Sequence, residues 1–187
     1  AISTIQTRAR YFLFVPWIYQ ALERDRISSA RAAAHARHQQ ARLVESLKAG
    51  GEGPASGVIG IDAGPNLQRP PSLVYWSGLR RLGILEFAGS TEGYHAALDG
   101  FYARSRRPLR SDVDELVERA PHHWHPSLPA APEDLLSSTT LALRREDADF
   151  LAEHIRHHVG DSLLGRCLTS QIGRVRTAKA IWELSGL

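Results

Sequence analysis

Pro70 to Leu85 is the stretch that most limits how this chain can fold, because its punctuation defines one short helix and its side chains give that helix two faces. Pro70 and Pro71 cannot extend a preceding helix but suit the first turn of a new one. Gly83 is the natural left-handed residue after Leu82. Between these limits Leu73, Trp76, Leu79 and Leu82 recur every three residues, with Tyr75 among them, so the pattern predicts that they are buried together. Val74, Ser77, Gly78 and Arg81 face the other way. The helix therefore has a core side and a side free to contact something.

Its flanks extend the prediction. Upstream, a helix from Ser28 or Ser29 to about Lys48 stops at Gly50-Gly51, and alanines 30, 33, 34 and 41 offer close approach to another helix. Val58 to Ile61 then reads as a short strand or the entry to a brief second helix. Downstream, Ile84 to Phe87 alternates as a strand does, and Ala88 to Gly93 has the composition of a loop. Helix, short helical piece, turn, helix, strand and loop is the order of a winged helix-turn-helix. The expected fold class is mainly α: a helical domain containing a winged helix-turn-helix-like unit with a small β wing.

Ser3-Thr4 can cap a helix that runs through Tyr11 to Tyr19 toward Glu23. From Tyr11 onward it is apolar nearly all round, which describes a central helix wrapped by others, with Pro16 kinking it or marking a break. A further helix is expected from Tyr94 through Tyr102. Pro121 to Pro132 holds four prolines and must be extended, pinned by Trp124 and Leu128. Thr139 to Leu143 suggests a short strand, Arg145 to His158 a helix, Ser162 the cap of another through Leu168, and Val175 to Leu184 a last piece. We divide the chain into an N-terminal buried helix (1–26), a winged-helix-like module (27–110), and a linker with a C-terminal helical region (111–187).

The composition is that of an ordinary soluble domain: 187 residues, 43% hydrophobic. The longest apolar run, Tyr11 to Tyr19, is well short of the roughly 20 residues needed to span a bilayer. The N-terminus lacks a secretory signal, and the single Cys167 cannot form an internal disulfide, so a reducing cytoplasm is the expected setting. Cys167, between Leu164 and Leu168, reads as a small core residue. There is no Met, even at position 1, which reads as a trimmed chain or a fragment.

Net charge is only +3, but residues 1–110 sum to +7 and residues 111–187 to −4. The first part is the candidate anion-binding surface. Its densest basic site is the arginine run Arg104, Arg106, Arg107 and Arg110, which can contact phosphates or simply complement a helix end. The acidic stretch Asp112, Asp114 and Glu115 follows and can pair with it. Arginine outnumbers lysine by 21 to 2, which suits phosphate recognition but is also what a GC-rich genome writes.

Three blocks carry a resemblance that covers nearly the whole chain. They are Thr4 to Trp17, Tyr75 to Ile84, and the pair Trp124 to Pro129 with Glu146 to Leu151. Together they resemble an uncharacterised bacterial domain-of-unknown-function family, number 6361. The resemblance implies gene clusters with helicase-like and nuclease-like proteins of the phage-defence kind, and hence a DNA-centred assembly. It assigns no catalytic residue.

Nine histidines raise a metal reading, above all His122, His123 and His125 with His154, His157 and His158, and with Glu153 as a carboxylate. There is no His-Glu-x-x-His or Cys-x-x-Cys, so no metal or cofactor is expected. A Gly-x-Ser-x-Gly elbow is also absent. The leading expectation is a non-catalytic module that binds duplex DNA, or subunits of a helicase- or nuclease-containing assembly, with no membrane partner. Ser72, Ser77 and Arg81 would be offered by the central helix, and Arg104, Arg106, Arg107 and Arg110 would be backbone contacts. A protein-interaction scaffold using the same face is the alternative, and a metal-dependent hydrolase using the histidines the third reading.

Overall fold

The computed structural model describes residues 6–63, 67–105 and 122–169. It is mainly helical: α1 (Tyr11–Arg24), α2 (Ser29–Ala49), α3 (Pro71–Arg81), α4 (Thr91–Ser105), α5 (Arg145–Val159) and α6 (Leu163–Thr169), with a one-turn 3-10 helix at Pro54–Ser56. No strand is formed among the described residues; the extended pairing is a single antiparallel bridge, Leu85 to Trp124.

α1 is the central helix that its all-round apolar run demands, with every residue from Tyr11 to Tyr19 buried. It packs against α2 and α3, and α2 in turn against α4. Pro16 does not break it: the helix runs on to Arg24. The expected cap at Ser3-Thr4 lies outside the described residues, but the helix expected to run on from it is not formed at residues 6–10, and α1 begins at Tyr11. Residues 6–8 are instead tied to α3: Gln6 Nε2 donates to the Val74 carbonyl at 2.9 Å, and the Tyr75 hydroxyl accepts from the Arg8 N–H at 3.1 Å and lies 2.9 Å from the Arg8 carbonyl. Those bonds hold the backbone outside the helix until Arg10.

In α2 the buried residues are Ala32, Ala36, Leu43 and Leu47 with Gln40, Val44 and Ser46. Leu43 and Leu47 decide which side turns inward, and counting back by helical periods from them arrives at Ala36 and Ala32. Ala30, Ala33, Ala34 and Ala41, expected to admit another helix, are exposed instead. Gly50 closes the helix where nothing larger fits, since a Cβ there would lie 1.9 Å from the Thr139 carbonyl oxygen. The expected strand at Thr139 to Leu143 is not formed. Its backbone is bonded to the end of α2 and the loop after it, Thr139 N–H to the Ser46 carbonyl and Leu141 N–H to Glu52 Oε1 at 2.7 Å.

α3 keeps its predicted limits, with Pro70 extended at the N-cap and Gly83 at φ 66°. Tyr75, Trp76, Leu79 and Leu82 are buried, but Leu73 is 48% exposed. The reason is geometric: three residues turn a helix by 300°, so a three-residue repeat drifts about 60° per step, and its ends point about 180° apart after three steps.

The winged-helix unit is not formed among the described residues. Val58 to Ile61 is turn rather than strand or helix. After Gly83, Ile84 to Phe87 makes one bridge in place of a strand, with Glu86 N–H to the His123 carbonyl at 2.8 Å and His125 N–H to the Ile84 carbonyl at 2.9 Å. The Ile84 N–H is committed to the Leu79 carbonyl at 3.0 Å, so it cannot return a bond to His125 and the ladder stops there. The expected wing loop ends early as well. Ser90 accepts the Gly93 N–H on its hydroxyl at 3.1 Å and the Tyr94 N–H on its carbonyl, so α4 begins at Thr91.

The proline segment, described from His122, forms no helix, but it is not extended throughout: Leu128 N–H bonds to the His125 carbonyl at 3.1 Å and closes a turn at Pro126-Ser127, with Trp124 buried and Leu128 partly so. Trp124 joins Tyr19, Trp76 and Tyr94 in an aromatic hub with ring centroids 5.2 to 6.0 Å apart. α5 and α6 follow as expected, α6 with its Gly165 N–H on the Ser162 hydroxyl, and Cys167 is half-buried. The expected piece at Val175 to Leu184 lies outside the described residues. None of the helices described is long and apolar enough to cross a membrane.

Candidate nucleic-acid interface

The two faces of α3 are set by what lies under it. Tyr75 meets Tyr11 and Phe12 on α1, with centroids 5.2 and 4.9 Å away, and the Trp76 indole N–H donates to the Gly89 carbonyl at 3.0 Å. Gly78 is required here: a Cβ would come within 2.8 Å of the Phe12 ring. With this side locked, Leu73, Ser77, Arg80 and Arg81 point outward together, at spacings of four, three and one.

Ser77 and Arg81 are therefore where the sequence places them. Ser72 is not: it is 2% exposed, and its N–H donates to Gln40 Oε1 at 2.8 Å, so it anchors α3 to α2 instead of facing outward. Arg80 is an addition to the predicted set, and the helical wheel contains the signal, because position 80 lies only about 20° around the axis from 73. Neither Arg80 nor Arg81 has an acidic partner among the described residues. Arg104 is exposed in the last turn of α4. Arg106, Arg107 and Arg110 lie outside the described residues, as do Asp112, Asp114 and Glu115.

A second basic surface was not singled out from the sequence. Arg31, Arg37 and Arg42 are exposed on α2, where the only acid, Glu45, is taken by Lys48 at 2.9 Å. Arg8 and Arg10, by contrast, are structural. Arg8 donates to the Ser56 carbonyl, and Arg10 is buried 3.9 Å from Asp147.

The proline segment does approach the histidines of α5. His125 and His154 rings are 4.6 Å apart, His154 and His158 5.7 Å, and His157 and His158 4.8 Å. Their nitrogens serve the fold: His154 Nδ1 donates to the Leu82 carbonyl at 2.7 Å, and His125 Nδ1 accepts the Ser127 N–H. No group of three or more His, Cys, Asp or Glu among the described residues is arranged to hold a metal ion.

Burial, chiefly, lowers the pKa of His154 below its ordinary 6.5, opposed by the bond to Leu82 and by Glu153 and assisted by His125 and His157. His158 is lowered by burial and then by His157 and His154. Both groups are thus neutral more readily in the folded chain than in the unfolded one. Their contribution to stability is present above pH 6.5 and is lost as pH falls through that value and through their lower folded pKa values. Urea midpoints should accordingly drop between pH 7.5 and 5.5. His154→Asn, which keeps a donor toward Leu82 without a titrating ring, should shrink that drop.

A family model described as "Family of unknown function (DUF6361)" matches residues 1–184, so the chain belongs to that family. No curated protein and no solved structure matches the chain.

Proposed function

We propose that this member of the family is a non-catalytic DNA-binding module that presents the outer face of α3 to duplex DNA and uses the arginines at the end of α4 as phosphate contacts. The observation that carries this reading is the division of α3: its inner side is fixed by Tyr75, Trp76 and Leu79, while Ser77, Arg80 and Arg81 stand outward with no acidic neighbour in ion-pair reach among the described residues. A rigid helix with polar and forked cationic side chains on its free side has the chemistry that reads base edges and phosphates. Helix and arginines act here without a wing. The setting we infer is a cytoplasmic assembly with helicase- or nuclease-like subunits, of the bacterial phage-defence kind that the resemblance implies.

A second reading has its own observation. Leu73 is 48% exposed on the same stripe, and an apolar side chain beside two arginines also suits a protein partner. Salt dependence separates the two. If Arg104, Arg106, Arg107 and Arg110 neutralise four phosphates, log K for a duplex should fall against log salt with a slope near −3.6, about −0.9 for each contact. Changing all four to Ala should remove about that slope and weaken all sequences alike. A chain with no salt-dependent DNA binding at low ionic strength would leave the protein-partner reading in its place.

A further inference from the structure

We propose that the cavity between α2 and the N-terminal end of α3 binds a small amphipathic anion: an apolar body of drug-like size carrying one carboxylate, sulfonate or phosphate. The cavity has a volume of about 480 Å³, within the range of small-molecule sites. Its walls are apolar, built by Ala41 and Val44 from α2, by Leu67 and Pro70 ahead of α3, and by Leu136. Its rim is cationic. Arg37 and Arg42 border it with His38, and neither arginine has an acidic partner among the described residues, because Glu45, the acid at the rim, is held by Lys48.

Two further features favour an anion with an apolar tail over a neutral ligand. Gln40 lines the cavity while 2% exposed; its oxygen accepts the Ser72 N–H and one amide hydrogen goes to the Ala36 carbonyl, which leaves the second amide hydrogen uncommitted among the described residues. Pro70 is the N-cap of α3, so the positive end of that helix dipole borders the same space. The size of the cavity selects a small molecule over a macromolecule. The site is distinct from the outer face of α3, since Arg81 lies about 16 Å along the axis from Pro70.

The test uses two fluorescent probes with the same apolar body, 8-anilinonaphthalene-1-sulfonate and its uncharged counterpart N-phenyl-1-naphthylamine. The sulfonate should bind one per chain and about tenfold more tightly than the neutral probe, the gain of a charge-assisted contact. Arg37→Ala with Arg42→Ala should bring the sulfonate down to the affinity of the neutral probe. Ala41→Trp fills the cavity from an exposed helical position, so the chain should fold and bind neither probe; its helical circular dichroism and melting confirm the fold. Equal affinities for the two probes, or sulfonate binding untouched by Ala41→Trp, would overturn the proposal. A dimer that Ala41→Trp dissociates would also overturn it, assigning the face to a second copy of the chain.

Discussion

Asp147→Ala should destabilise this chain by about 3–5 kcal/mol, read as a lower urea midpoint, because it removes one side of a buried ion pair and strands the other. Asp147 is fully buried at the start of α5. Its carboxylate accepts three hydrogen bonds from Arg144, at 2.8 Å from Nη2, 3.1 Å from Nε and 3.2 Å from the backbone N–H. Arg10 lies behind it, 3.9 Å away and 5% exposed, donating to the Thr140 carbonyl at 2.7 Å and standing over the Phe14 ring. Burial lowers the Arg10 pKa, and Asp147 is the first influence that raises it again. Without Asp147 that guanidinium would be a buried charge with no ion-pair partner among the described residues, left with the weaker influence of Asp134. Arg10→Met in the same chain should recover part of the loss, since the stranded cation is then gone. A loss under 1 kcal/mol for Asp147→Ala alone would mean that water reaches this pair.

The network reaches further than the pair. Arg144 also donates to the Ala130 carbonyl at 2.9 Å and lies over the Trp17 ring, whose indole N–H donates to the Pro129 carbonyl at 2.7 Å. The beginning of α1, the proline segment and the beginning of α5 are held by one set of contacts. The blocks that carry the family resemblance, Thr4 to Trp17, Trp124 to Pro129 and Glu146 to Leu151, therefore meet in space. The block from Tyr75 to Ile84 joins them through Tyr75 and Arg8.

Trp76→Ala should cost a comparable amount, about 3–5 kcal/mol, by emptying the centre of the aromatic hub. The indole is 6% exposed, with ring centroids 5.3 Å from Tyr19, 5.5 Å from Tyr94 and 6.0 Å from Trp124. Its loss also leaves the Gly89 carbonyl without the indole donor. Trp76→Phe keeps a ring in the hub and should cost distinctly less. Denaturant melts of the two variants check this directly.

How much of this could be read in advance depended on whether the deciding forces were local. α3 was legible because Pro70 and Gly83 act on their own backbone angles, and α1 because an all-round apolar run must be covered. Leu73 faces outward because a three-residue repeat drifts around the axis and is not one face of a helix. The wing failed for a different reason. Alternation at Ile84 to Phe87 shows that a segment can pair, but not with what, and here the Ile84 N–H is taken by the Leu79 carbonyl at the end of α3. The ion pair of Arg10 and Asp147 was invisible, since nothing near Arg10 in the chain announces an acid far along it. On the candidate interface, Ser77 and Arg81 followed from the helical wheel, whereas Ser72 was lost to a partner on another helix, Gln40.

The measurement that tests the central claim most directly is the affinity for a labelled 20-base-pair duplex at low salt of the chain carrying Arg80→Glu and Arg81→Glu. Both positions are exposed on the outer side of α3, so the fold and the melting temperature should be preserved while two cations become anions facing the phosphates. The account predicts a loss of affinity of more than tenfold with an unchanged melting temperature. Wild-type affinity in that doubly reversed chain would contradict it, and the outer face of α3 would not be where this protein meets DNA.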